Sequence, residues 1–318
     1  MSIGEFDLIE RYFNRPGRRE GVLLGVGDDA ALLELPPGQC LVAATDTLVE
    51  GRHFPCGAPP ESIGHQCLAV NLSDLAAMGA DPAWALLSLC MPEARAEWLQ
   101  RFATGLLALA ERYGVALVGG DTVRGPLVLG VTALGVVPPG EALRRSGARP
   151  GDELFVSGWP GESAAGLELL QRDSGSAGTD PLARRFLFPE PRLGLGRALR
   201  GLASAAMDVS DGLLGDLEKL CRASSVSATL ELDQLPVSPV LAARFPPERA
   251  EQFILHGGDD YELLFTLPPG ARSAEQLQRL LGACVVHRIG RIGGGRGVSC
   301  LRDGRSVGMP QGGYDHFA

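Results

Sequence analysis

The sequence predicts a two-domain α/β (α+β) protein, with an N-terminal sheet carrying helices on one face and a C-terminal α/β domain. Its length of 318 residues suits two domains. Short apolar runs alternate with amphipathic ones, which is typical of mixed helix and strand structure. A segment rich in Pro, Gly and Arg at 138–153, "PPGEALRRSGARPGDE", interrupts the pattern and reads as a connection. We therefore predict an N-terminal domain at 1–138 and a C-terminal domain at 139–318.

The first domain is predicted to follow a β-α-β-α-β-β order. Two helices are expected at 61–78 and 93–113, ended by Gly79 and Gly114, because a glycine after a periodic run is typical of a helix C-terminus. Apolar runs predict the strands, which fall at 40–45, 83–90, 115–118 and 126–137.

The second domain is predicted to begin with a strand at "LFVSG". The polar stretch at 171–181 is predicted to be a surface loop, and "GGGRG" at 293–297 is predicted to be a loop between strands. Helices are expected near 192–203, 211–224 and 248–256, and strands near 226–232, 260–267 and 284–292.

Composition excludes several function classes. The net charge of −9 disfavours nucleic-acid binding, and no apolar run is long enough to predict a membrane span or a signal peptide. The seven cysteines are scattered without paired spacing, which favours reduced thiols and a cytoplasmic location. Of the 29 basic residues only Lys219 is lysine, and its context matches neither a Walker-type phosphate loop nor a protein-kinase lysine.

Acidic residues recur where apolar runs are expected to end. Each one alone is more simply explained as a turn residue or helix cap. Together they are expected to converge on one edge of a sheet, and an acidic cluster with few cations is best explained by Mg²⁺ ions that bridge a polyphosphate. The positive charge required by Asp208 and Asp211, three residues apart, is likewise predicted to be magnesium and not a side chain.

Seven motifs carry a resemblance to a known family. "GDDAA", "ATDTLVEGRHF", "NLSDLAAMGA", "GGDT", "RSGARPGD", "DVSDGLLGDL" and "GGDDYELLF" occur in the order seen in thiamine-monophosphate kinases. These belong to a superfamily with aminoimidazole-ribonucleotide synthetase and selenophosphate synthetase. The resemblance implies transfer of the γ-phosphoryl group of ATP, as co-substrate, to thiamine monophosphate with the help of several Mg²⁺ ions. It also implies a homodimer formed through the N-terminal sheets, with ATP bound between the domains.

The same resemblance implies the site residues. The implied metal ligands are Asp29, Thr45, Asp46, Asp74, Asp121, Asp208 and Asp211. The implied ATP contacts are Gly120, Asp121, Arg145 and Ser210. The implied substrate contacts are His53, Asp259, Asp260 and Tyr314. Asp259 stands where the family more often has Glu, so which of Asp259 and Asp260 contacts substrate stays open, and Ala44 stands where relatives often have a hydroxyl. No catalytic nucleophile is expected, because the acceptor phosphate is already ionised.

Two alternatives remain. One is another ATP-using member of the superfamily, such as aminoimidazole-ribonucleotide synthetase, and the other is a non-catalytic regulator that binds metal or nucleotide. A selenophosphate synthetase is excluded, because that enzyme needs a reactive Cys near the N-terminus with a Lys close by. Here the first cysteine is Cys40 and the single lysine is Lys219.

Overall fold

The computed structural model describes residues 4–14, 19–172, 179–271 and 284–308. They form two compact units. The first lies within Met1–Leu75 and Ala80–Gly140, and the second within Ala76–Gly79 and Glu141–Ala318.

The first unit is built on a four-stranded sheet. A short helix α1 (Glu5–Leu8), one π-helical turn (Ile9–Phe13) and an antiparallel pair, β1 (Val22–Leu24) and β2 (Leu32–Leu33), come first. The sheet and its helices then follow as β3 (Cys40–Val49), α2 (Pro60–Ala77), β4 (Asp81–Met91), α3 (Ala96–Tyr113), β5 (Ala116–Arg124) and β6 (Val128–Val137). The spatial order is β3-β6-β4-β5, in which β4 and β5 run parallel and the other neighbours antiparallel. The predicted β-α-β-α-β-β order is confirmed.

The two faces of this sheet have different neighbours. Trp84 of β4 belongs to a small apolar cluster against which Val22, Ala31 and Leu33 of the β1–β2 region pack. On the other face, Gly135 of β6 lies against Leu75 of α2. Helix α3 ends as predicted, with Gly114 at a left-handed φ of 66° and its N–H donating to the carbonyl of Ala110.

The strands are longer than the sequence indicated, and this changes the position of two acids. Asp46 lies within β3 and Asp121 within β5, whereas both were expected to follow a strand. The premise that these carboxylates converge at strand ends was therefore wrong.

The second unit is built on a seven-stranded sheet in the order β13-β12-β9-β11-β7-β10-β8, with β12 and β9 the parallel pair. Its strands are β7 (Glu153–Ser157), β8 (Ala205–Val209), β9 (Ser227–Glu231), β10 (Glu262–Leu267), β11 (Val286–Gly293), β12 (Gly297–Arg302) and β13 (Arg305–Val307). Its helices are α4 (Glu162–Arg172), α5 (Pro181–Leu187), α6 (Leu193–Ala198), α7 (Leu213–Ser224), α8 (Pro239–Arg244) and α9 (Pro247–His256).

Several of these elements were not predicted, namely α4, α5, α8, β8, β12 and β13. The turn predicted at "GGGRG" does connect β11 to β12. Of the expected loop at 171–181, residues 173–178 lie outside the described part of the chain. Within the described residues, no helix combines the length and apolar character needed to cross a membrane.

Candidate functional site

A cavity of about 850 Å³ in the first unit collects three of the predicted residues. Its wall includes Asp28 and Asp29 from the segment between β1 and β2, and Gly120 and Asp121 from β5. The Asp28 carboxylate accepts the backbone N–H of Asp29 at 2.8 Å, and that of Asp121 accepts the N–H of Thr122 at 2.9 Å. Each bond engages one carboxylate oxygen, and all three aspartates are exposed. The cavity therefore presents acidic oxygens to a ligand.

Gly120 has to be glycine for steric reasons. Its φ is 150°, and a Cβ built there would lie 1.8 Å from the carbonyl oxygen of Leu87. No side chain fits such a contact, so the backbone of β5 can run close to β4 beside the cavity.

The strand register separates Asp46 from the cavity. Thr45 of β3 has its hydroxyl 3.1 Å from that of Thr132, and donates to the carbonyl of Val131 at 3.2 Å. Asp46 is the next residue and pairs with the buried Val131, so its side chain lies on the opposite face of the sheet. Strands β6 and β4 separate Asp46 from Asp121, which places their backbones roughly 14 Å apart at about 4.8 Å per strand. Within one chain the two carboxylates do not share a metal.

Asp74 and His53 are the other predicted residues of this unit. Asp74 lies half-buried on α2, one turn after Asn71, which is buried and whose Oδ1 has no hydrogen-bond partner among the described residues. His53 lies in the turn after β3, where its Nδ1 accepts the backbone N–H of Val49 at 3.0 Å. In the neutral ring this bond places the proton on Nε2, which makes Nε2–H a hydrogen-bond donor.

In the second unit, the end of β8 and two loops bring four predicted residues together at the edge of the sheet. Strands β8 and β10 pair with Asp208 opposite Leu263. The N–H of Asp259 donates to the carbonyl of Ser210, and that of Tyr261 to the carbonyl of Val209, both at 2.9 Å. The loop that carries Asp259 is therefore fastened to the end of β8, which contains Asp208, and to the loop after it, which carries Ser210 and Asp211.

The close approach of the loop after β8 to the C-terminal end of α9 depends on Gly212. It has a φ of 105°, and a Cβ there would lie 2.9 Å from the backbone carbonyl carbon of His256. The glycine in "SDGLL" thus permits the junction at the start of α7.

The positive charge beside Asp211 is a side chain, contrary to the sequence-based expectation. The Lys219 ammonium contacts the Asp211 carboxylate, and its Nζ lies 2.8 Å from Oδ1 of the buried Asp216. The contact between Lys219 and Asp216 was predictable from the sequence, because the two residues are three positions apart on one helix face. The prediction that no side chain supplies positive charge beside Asp211 was therefore wrong.

Asp259 and Asp260 occupy very different environments. Burial raises the pKa of Asp259 to about 6, an effect that the charge of Asp211 reinforces and a hydrogen bond from the Tyr261 hydroxyl, at 3.0 Å, partly offsets. Asp260 is buried, and its carboxylate accepts the N–H of Gly161 at 2.7 Å and of Ser163 at 3.3 Å, where α4 begins. Asp260 thus caps a helix, and Asp259 is the member of the pair next to Asp211.

Arg145 is not brought to these loops. The carbonyl of Arg145 accepts the Ser224 hydroxyl at 2.9 Å, at the C-terminal end of α7, whereas Ser210 precedes the N-terminal end of that helix. The Arg145 side chain is exposed. Tyr314 lies outside the described residues.

A buried ionic cluster around Glu262 was missed at the sequence level. The Glu262 carboxylate is fully buried, contacts Arg185, and accepts from Arg192 Nε at 2.6 Å and from the Ser157 hydroxyl at 2.5 Å. Burial alone would raise its pKa, but the charges of Arg192 and Arg185 outweigh that effect and hold it at about 2. An acid inside the apolar run "YELLF" was the available signal, since such an acid requires a cationic partner.

The two acidic regions, at the cavity of the first unit and around Asp211 in the second, offer few ligands for a metal ion. Within the described chain, no three His, Cys, Asp or Glu side chains lie close enough together to hold a metal ion by themselves. Both acidic regions instead offer carboxylate oxygens in small numbers, and Mg²⁺ in nucleotide sites takes one or two carboxylates plus water and phosphate oxygens. The donor chemistry fits magnesium that is bound together with a phosphate ligand.

Comparison with known proteins identifies the family. Residues 27–137 match the model of the AIR synthase related protein, N-terminal domain, and residues 149–302 match that of its C-terminal domain. The thiamine-monophosphate kinase of Escherichia coli K12 is 46% identical over 328 aligned positions, which cover 100% of this chain and 99% of that protein.

Solved structures agree. The crystal structure of thiamine-monophosphate kinase from Stenotrophomonas maltophilia K279a superposes with a TM-score of 0.87 at 46% identity, covering 96% of this chain and 99% of that one. The structure of AaThiL complexed with AMPPCP and TMP gives a TM-score of 0.77 at 33% identity, covering 100% and 99% of the two chains. The sequence-based resemblance is confirmed, and the chain belongs to the thiamine-monophosphate kinase family of AIR synthase related proteins.

Proposed function

We propose that this chain transfers the γ-phosphoryl group of ATP directly to the phosphate of thiamine monophosphate, yielding thiamine diphosphate and ADP. The observation that carries the proposal is the full-length match to AaThiL, whose structure was determined with AMPPCP and TMP. AMPPCP is an analogue of ATP, so that protein binds a nucleotide and TMP in one complex.

The magnesium ligands are proposed from the family resemblance, and the donor chemistry of the two acidic regions supports them. Asp29 and Asp121 at the cavity of the first unit, with Thr45, Asp46 and Asp74, and Asp208 and Asp211 in the second unit, are proposed to hold several Mg²⁺ ions with ATP. The metal supplies positive charge that offsets the repulsion between two phosphate groups. Within one chain, Asp46 and Asp121 are proposed to bind different ions, because two strands lie between them.

The remaining residues are proposed to bind and orient. Gly120 lets the β5 backbone approach the nucleotide, while Ser210 and Arg145 contribute polar and cationic contacts to ATP. His53, with its Nε2–H as donor, binds the phosphate of the acceptor. Asp259, ionised above about pH 6, attracts the cationic thiazolium ring of thiamine. Positioning of two reactants in line is the main contribution expected of the protein, because the acceptor oxygen needs no general base.

We also propose that the chain works as a homodimer joined through its N-terminal sheets. The outer strands β3 and β5 expose apolar side chains, with Leu41 49% and Val123 47% exposed, and unpaired sheet edges are prone to pair with another chain. Light scattering coupled to size-exclusion chromatography should give the mass of two chains. All seven cysteines are free thiols, which supports a role in the reducing cytoplasm.

Purified protein with Mg²⁺ and ATP should convert thiamine monophosphate to the diphosphate, followed by chromatography of the thiamine esters. Turnover of ATP with a formylglycinamidine ribonucleotide and not with thiamine monophosphate would instead indicate an aminoimidazole-ribonucleotide synthetase. Binding of metal or nucleotide without turnover of either substrate would favour a regulator.

A further inference from the structure

Asp216 holds the loop that carries Ser210 and Asp211. It lies in the first turn of α7 and is fully buried. Its Oδ2 accepts the backbone N–H of Ser210 at 2.9 Å and that of Asp211 at 3.0 Å. One carboxylate oxygen therefore fixes two consecutive peptide groups of the loop.

The other oxygen of Asp216 binds the chain's single lysine. Lys219 Nζ donates to Oδ1 of Asp216 at 2.8 Å and also donates to the carboxylate of Asp211. An ammonium is a compact charge with three rotatable donors, so it can divide its hydrogen bonds between two carboxylates. Lys219 thus connects the buried Asp216 to Asp211.

Asp211 and Lys219 are accessible enough to change partners. Their side chains are 35% and 37% exposed, whereas Asp216 is buried. The contact between Lys219 and Asp211 is therefore the weaker of the two, because exposed ion pairs contribute little. A divalent cation that reaches Asp211 competes with the ammonium for the same oxygens.

We infer that Lys219 is a positioning residue that binds the Asp211 carboxylate in the metal-free protein and yields it to the metal while remaining on Asp216. This inference rests on the proposed assignment of Asp211 as a metal ligand. Two effects of Lys219 are expected. The loop stays ordered before metal binds, and metal binds at Asp211 less tightly than it would to a carboxylate without an ammonium neighbour.

The first test measures Mn²⁺ binding to the full chain saturated with AMPPCP, which supplies phosphate oxygens, by calorimetry or by electron paramagnetic resonance. Lys219→Met should bind Mn²⁺ up to about fivefold more tightly than wild type, which is the effect of losing an exposed ion pair. Arg222→Met is the matched control, because Arg222 is an exposed cation one turn further along α7. Equal affinity in wild type and Lys219→Met, or equal gains in both variants, would overturn the inference.

The second test needs no substitution. Since Lys219 is the only lysine, its acetylation by an amine-selective reagent can be followed by mass spectrometry at one site besides the N-terminus. Saturating Mg²⁺ should increase the rate of acetylation by releasing the ammonium from Asp211. A rate that Mg²⁺ leaves unchanged, at a concentration where calorimetry shows binding, contradicts the exchange.

Steady-state kinetics separate positioning from simple loss of fold. Lys219→Met should lower kcat without raising the KM for Mg-ATP, and Lys219→Arg should restore most of kcat because it keeps a cation at Asp216. A decrease in kcat that Lys219→Arg does not reverse would refute positioning by charge. The metal titration and the acetylation do not require turnover, so they remain informative even if thiamine monophosphate is not the substrate.

Discussion

Substitution of Glu262 by Gln tests how strongly the buried ionic cluster stabilises the second unit. The wild-type carboxylate is held by Arg192 and Arg185, whose side chains are largely buried, and by the Ser157 hydroxyl. Its pKa of about 2, against an ordinary value of 4.5, corresponds to about 3 kcal/mol of folding free energy at 1.36 kcal/mol for each pKa unit. Removal of one partner from a buried pair costs about 3–5 kcal/mol. Glu262→Gln should therefore lower the free energy of unfolding by about 3 kcal/mol or more.

Urea unfolding followed by circular dichroism measures this change. The matched control is Glu251→Gln, because Glu251 pairs with Arg302 at the surface of the same unit, with side chains 34% and 47% exposed. The control should cost less than about 1 kcal/mol. Equal losses in the two variants would show that burial of the Glu262 cluster adds nothing, and would refute the reasoning.

The pH dependence of the free energy of unfolding tests the same ion cluster independently. Folding lowers the pKa of Glu262, so its contribution is complete above pH 4.5 and is lost as the pH falls toward 2. The stability difference between wild type and Glu262→Gln should therefore narrow across that interval. A difference that stays constant from pH 6 to pH 3 would contradict the assigned pKa.

Three further predictions concern the candidate site. Asp208→Asn and Asp46→Asn should each lower kcat by orders of magnitude while the circular dichroism spectrum is retained; near-normal turnover in either would remove that residue from the metal site. Asp259→Asn should raise the Tm at pH 7.5 and leave it unchanged near pH 4. Burial, reinforced by the charge of a neighbouring aspartate, raises the pKa of Asp259 to about 6, so its ionisation costs folding free energy. An unchanged Tm at pH 7.5 would contradict this. Gly120→Ala should destabilise the first unit by well over the ~1 kcal/mol of an ordinary glycine substitution, whereas Gly194→Ala, with open space around its Cβ, should be close to neutral in the same melting experiment.

The first unit was largely predictable because its signals are local. Apolar runs define its strands, and Gly114 follows its long helix as a left-handed cap. The strand ends were not predictable, since "ATDT" and "GGDT" are polar and yet pair fully with neighbouring strands. Polar residues remain in a strand when their neighbours supply the ladder of hydrogen bonds, and this is a property of the sheet and not of the segment.

The second unit was less predictable because its elements depend on distant residues. At the start of helix α4, the N–H groups of Gly161 and Ser163 donate to Asp260, nearly a hundred positions later in the chain. Trp159, Pro160 and Gly161, which precede α4, have no carboxylate or hydroxyl side chain that could cap it. Glu262 likewise obtains its cations from Arg185 and Arg192, which precede it by about seventy residues or more. The contacts of Lys219 were missed for a different reason. Its partners Asp211 and Asp216 are near in sequence, and the expectation of magnesium was the reason they were not predicted.

The segment 259–262 directs three carboxylates to three separate places. Asp259 and Tyr261 both adopt left-handed backbone, with φ of 63° and 53°, and this lets neighbouring side chains leave the chain in different directions. Asp260 caps the start of α4, and Glu262 binds two largely buried arginines. Asp259, which we propose as a substrate contact, is consequently the acid of this segment that can be varied without also disrupting a helix start or an ion cluster. Libraries that randomise all four positions together should yield mostly unfolded protein.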